Sequence, residues 1–142
     1  MKMDFKYELT VVPVSDVDRA KEFYAEKLGF NVDVDHSAGE HFRVVQLTPP
    51  GSAASITIGT GLPQGEPGSY KGMHLVVDDL VAARELLVGR GVEASEPFHF
   101  GPEGQAEGMH PERQSYGSFV TLDDPDGNSW LVQEVTERSP GR

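Results

Sequence analysis

Two runs rich in β-branched and apolar residues, Leu9 to Val14 and Met73 to Val77, have the composition of largely buried strands. Each is followed by a segment whose apolar positions recur at helical spacing. Val17, Ala20, Phe23, Tyr24 and Leu28 form one stripe, and Leu80, Ala83, Leu86 and Leu87 the other. Asp16 and Asp79 stand where an N-cap would accept hydrogen bonds from the first helical turn, and Gly29 and Gly91 stand where a left-handed residue would end it. Helices of about twelve residues are predicted in both places. The period then shifts toward two over Asn31 to Asp35, Phe42 to Thr48 and Ser55 to Gly59, and again over Glu93 to Ser95, Ser118 to Leu122 and Ser129 to Val135.

The two halves also agree residue by residue. Val14 to Phe23 aligns with Val77 to Leu86, matching Asp16 with Asp79, Ala20 with Ala83, Lys21 with Arg84 and Glu22 with Glu85. Deleting one residue from the first copy then pairs Gly29-Phe30 with Gly91-Val92. The chain therefore reads as a βαβββ unit written twice, module one at about 7–60 and module two at about 72–136, within one domain spanning 1–142. Pro49 to Ser52 and Asp124 to Asn128 carry turn chemistry between the last two strands of each unit. The Asp124 to Asn128 acids read as a structural turn, because a calcium loop of the EF-hand type needs further oxygens and a distal Glu. Gly59 to Lys71 is the expected linker, and Phe98 to Ser115 a long loop, either a functional lid or disordered.

Composition narrows the chemistry. At 142 residues, with 37% hydrophobic and 25% charged, the chain can bury one self-sufficient core, and no apolar run approaches the length of a membrane span. No secretory signal is read at the N-terminus, so a cytoplasmic location is expected. Cysteine is absent, which excludes disulfides, thiolate nucleophiles and thiolate-bound metals. A net charge of −11 opposes nucleic-acid binding, which depends on Lys and Arg. The expected partner is a small molecule.

The segments Pro13 to Phe30, Val76 to Val92 and Asp124 to Val135, in this order, resemble the vicinal oxygen chelate superfamily, which includes glyoxalase I, bleomycin-resistance proteins and extradiol dioxygenases. The resemblance implies an α+β fold in which two tandem βαβββ modules form a curled mixed sheet around a cavity, commonly in a homodimer. It also implies, for metal-dependent members, a His or Gln opening the first strand of each half and Glu residues on the closing strands. Those positions fall at Leu9, Gly72 and Leu131, and Ser55 to Ile58 holds no carboxylate. The expectation is a cavity without cofactor, a divalent metal ion with displaced ligands being the alternative.

Strand alternation assigns Leu9 and Val11, Gly72 and His74, and Leu131 and Gln133 to the cavity. His74 is the candidate catalytic residue, as a general acid or base, or else a buried histidine satisfied by a neighbour. Phe98, Phe100 and Tyr116, with His99, Met109 and His110, could cover the cavity mouth and stack on a flat ligand, or lie on the surface. Arg43 is either outward-facing or an anchor for an anionic ligand group; Trp130, of opposite parity to Leu131, reads as core or dimer contact. Two functions follow: a protein that binds a partly hydrophobic aromatic metabolite or antibiotic, as in antibiotic resistance, or a lyase, isomerase or dioxygenase, with or without metal.

Overall fold

A computed structural model describes residues 2–140. Two compact units are present, one running to Tyr70 and taking in Asp124–Asn128, the other made of Lys71–Asp123 and the chain from Ser129 onward.

The first unit contains β1 (Leu9–Val11), α1 (Val17–Glu22), β2 (Asn31–Ser37), β3 (Arg43–Thr48) and β4 (Ser55–Thr60). Its sheet has the order β1-β4-β3-β2, with β1 parallel to β4 and the other pairs antiparallel. β1 is shorter than predicted; the ladder gives out just before Pro13, which has no N–H to donate. Asp16 caps α1 by accepting from the Arg19 N–H at 3.0 Å. A π-helical turn, Phe23–Lys27, continues α1, with the Leu28 N–H donating to the Phe23 carbonyl at 3.0 Å. Such a turn absorbs one extra residue in a helix. This is the residue by which the first copy of the repeat exceeds the second. Phe23 and Tyr24 are both buried there, with Phe30 stacked on Tyr24.

The second unit contains β5 (Met73–Val77), α2 (Leu80–Gly89), β6 (Phe98–Gly101), β7 (Gly104–Glu107), β8 (Phe119–Asp123) and β9 (Ser129–Glu134). The sheet order is β5-β9-β8-β6-β7, with β5 parallel to β9. Apart from β7, this repeats the connectivity of the first unit, so the fold is the duplicated, mixed α+β arrangement read from the chain. Asp79 caps α2 through the Ala82 N–H at 3.0 Å, and Gly91 ends it at φ +86°. Leu80 and Leu87 are buried, whereas Leu86, assigned to the stripe, is exposed.

Two predictions fail between α2 and β8. Glu93 to Ser95 is not a strand, and the segment from Phe98 is not one long loop. Its first half is the β6–β7 hairpin, in which Gly101 pairs with Gly104 around Pro102 and Glu103. Proline fixes the first turn position and Gly104 takes φ +103°, so the two-residue turn closes without a steric penalty.

Candidate functional site

The faces of the second sheet follow from its register. His74 pairs with Leu131 and Thr121 pairs with Leu131, while Val76 and Phe119 both pair with Gln133; Phe119 in turn pairs with Phe98. These residues share one face. The opposite face carries Trp130, Val132, Glu134, Val120 and Leu122, all buried, and the Leu80 N–H at the start of α2 donates to Glu134 Oε2 at 2.9 Å. That face is therefore the one under α2.

On the face turned from α2, His74 is exposed and makes no hydrogen bond or ion pair among the described residues, so it is not the satisfied core histidine. Leu131 beside it is half-buried. Gln133 donates its amide N–H to the Tyr116 carbonyl at 2.9 Å, which fixes the side chain and the loop together. Farther across, Phe98, Phe100 and Phe119 form a cluster with ring centroids 5.5–5.9 Å apart, stacked and edge-on. Phe98 and Phe119 are buried, but Phe100 is 57% exposed and offers its ring to solvent. Gly72 is exposed just before β5, at φ +77°.

The loop after β7 is braced rather than free. Arg113, itself at φ +50°, donates through Nε and Nη2 to the two oxygens of Glu134, at 3.0 and 2.7 Å. Glu134 is fully buried, and the Arg113 guanidinium beside it, helped by the Leu80 N–H, holds its carboxyl below the usual carboxylate range against the opposing effect of burial. The Tyr116 N–H donates to the Glu134 carbonyl at 2.8 Å, and the Tyr116 hydroxyl accepts from the Ser139 N–H at 3.0 Å. His110 Nδ1 accepts from the Glu112 N–H at 3.1 Å, and His99 Nδ1 lies 2.8 Å from the Gly108 carbonyl. Both histidines are thus engaged with the backbone of the loop.

In the first unit, Leu9 pairs with Ser55 and Val11 with Thr57, so Leu9 and Val11 share a face with those hydroxyls and with Gln46. Thr57 Oγ1 is buried without a hydrogen-bond partner among the described residues. Arg43 lies on the other face, with Val45 and Leu47, and donates to Asp35 at 3.0 Å and to Asp18 of α1 at 2.6 Å. Asp35, which Lys21 also reaches at 2.7 Å, is held below the usual carboxylate range by these two bonds. Arg43 is committed to this ion-pair network.

A metal site of the kind the superfamily uses does not fit these residues. Leu9 and Leu131 have no lone pair to offer, Gly72 has no side chain, and His74 contributes a single imidazole. Among the described residues no group of three or more His, Cys, Asp or Glu could hold an ion. Sequence reading missed Phe119, Thr121 and Val76 on the His74 face; the alternation of Ser118 to Leu122 held the signal for the first two, but only the register attaches it to His74.

Comparison with known proteins agrees with the fold. The model of the Glyoxalase/Bleomycin resistance protein/Dioxygenase superfamily matches residues 6–132. A Bacillus subtilis (strain 168) protein, YetH, is 27% identical over 124 residues, covering 87% of this chain and 92% of that one. Among solved structures, TnmS3, an antibiotic binding protein from Streptomyces sp. CB03234, superimposes with a TM-score of 0.73 at 30% identity, covering 95% of this chain and 99% of its own. A glyoxalase/bleomycin resistance protein from the same organism gives a TM-score of 0.68 at 32% identity, covering 91% and 100%.

Proposed function

This chain belongs to the glyoxalase/bleomycin resistance protein/dioxygenase superfamily, and from that premise we propose that it binds a small, partly hydrophobic aromatic metabolite or antibiotic without a metal. The observation that carries the reading is the composition of the sheet face turned from α2. It presents a phenylalanine cluster with one ring exposed, a half-buried Leu131, and at His74 an imidazole without a partner among the described residues. Burial of flat apolar surface would supply affinity at about 25 cal/mol per Å2, and the few polar groups would set orientation. Gly72, just before β5, belongs to the same proposed ligand surface, with the Tyr116 carbonyl holding Gln133 in place. Structural likeness to an antibiotic binding protein supports the ligand class.

The protein is proposed to act as a cytoplasmic homodimer. Met3, Phe5 and Tyr7 alternate with charged residues and are exposed on a segment outside both sheets, an apolar row that a second copy would cover.

A thermal-shift panel of flat aromatic compounds, antibiotics included, tests the ligand reading. At least one class should raise the melting temperature in a manner that His74→Ala weakens. Stabilisation by none of them would overturn the reading. Conversion of a bound compound, abolished in His74→Ala, would replace binding with catalysis by that imidazole.

A further inference from the structure

At the outer end of the same sheet face, between the β6–β7 hairpin and β8, lies an open recess of about 310 Å3, within the size range of small-ligand sites. Its apolar wall is Phe98, with Pro97 beside it. Glu107 stands directly across from Phe98 in the ladder, so the two side chains leave the same face, and both line the recess. That carboxylate makes no hydrogen bond or ion pair among the described residues, and neither do the side chains of Gln105 and Thr121, which also line the recess. The second acid there, Glu96, is neutralised by Arg84 at 3.2 Å.

The charge of the lining is one-sided. It holds no Lys, Arg or His, and the chain as a whole carries −11. An anionic ligand would meet no cation in the lining, and the one beside it, Arg84, is already engaged by Glu96 and the Ser95 carbonyl. A protonated nitrogen on a flat ring would meet Glu107, while the ring itself could lie against Phe98, and Gln105 and Thr121 would remain free to bond its polar substituents.

We infer that this recess is a subsite for a flat aromatic cation, so that the molecule bound on this face carries a basic nitrogen. The inference rests on the reading of the face as ligand-binding and adds its charge preference.

Two probes of matched ring system test it: 9-aminoacridine, a flat monocation at neutral pH, and anthracene-9-carboxylate, a flat monoanion. Binding is followed by amide chemical shifts of the full chain. The cation should bind more tightly, shifting Phe98, Glu107 and Thr121. Glu107→Gln should weaken it about fivefold, the factor expected for loss of one charge at about 4 Å in a water-exposed setting, and should not weaken the anion, whose repulsion it can only relieve. Glu103→Gln, which removes an equal charge at the hairpin turn outside the lining, should change neither. The subsite is overturned if the two probes bind equally, if Glu107→Gln is silent, or if Glu103→Gln weakens the cation as much. Shifts confined to His74, Leu131 and Gln133 would overturn the subsite while leaving the ligand face intact. Absence of binding by either probe would sink both.

Discussion

The phenolic hydroxyl of Tyr24 donates a 2.8 Å hydrogen bond to Oδ2 of Asp124, a residue 100 positions away along the chain. Asp124 is buried and fully employed: its other oxygen accepts from the N–H groups of Asp126 and Asn128, and Oδ2 also accepts from the Asn128 amide. Asn128 in turn donates to the Pro13 carbonyl at 2.8 Å and accepts from the Tyr70 N–H at 3.0 Å. The Asp124–Asn128 turn is thus a structural clamp within the first unit.

Tyr24→Phe removes one donor from a buried carboxylate. Hydrogen bonds to charged groups are worth about 1.5–3 kcal/mol, which for a chain of this size means a melting temperature lower by several degrees in calorimetry. An unchanged melting temperature would show that the hydroxyl contributes nothing net to the clamp.

Breaking the other buried carboxylate contact should leave a pH signature. The folded-state pKa of Glu134 lies below its unfolded value, chiefly because of Arg113. Its contribution to stability is therefore present above the unfolded carboxylate range, about 4.3, and lost as pH falls through the folded value. Arg113→Met should lower the melting temperature at pH 7 and progressively less below about pH 4. A difference that stays constant across that range would rule out Arg113 as the cause of the shift.

His74→Ala should leave the ligand-free melting temperature within about 1 °C of the parent, since the imidazole is exposed and has no partner to lose among the described residues. With a stabilising ligand at about 100 times its Kd, the parent should gain roughly 2.7 kcal/mol and the variant less. A large fall without ligand would instead make His74 a structural residue.

Divalent nickel, zinc, manganese or iron, added to chelator-treated protein, should not raise the melting temperature, because a bound ion stabilises the native state and Leu9, Gly72 and Leu131 offer nothing to bind one. A stoichiometric ion resistant to chelation would contradict this directly.

Removing residues 1–7 tests the proposed dimer. Light scattering should report the dimer for the full chain and a monomer, or a marked weakening, for the shortened one. A full chain that remains monomeric at micromolar concentration would exclude the homodimer.

What the sequence determined was local and repeated. The capping aspartates, the stopping glycines and the two apolar stripes specify strand and helix because each acts over a few residues, and their recurrence reveals the duplication. Even the single surplus residue of the first copy was visible, though not its π-turn. The Phe98 strand was hidden because Gln105-Ala106-Glu107 has no strong preference for a strand and becomes one only by pairing with Phe98 to Phe100. Tertiary structure alone decided which face His74 shares with Phe119 and Thr121, that Arg43 faces Asp18, and that Glu134 is buried opposite Arg113. Each of these depends on register or on partners far apart in sequence, and a polar group gives no sign in its own neighbourhood of which distant group will satisfy it once water is excluded.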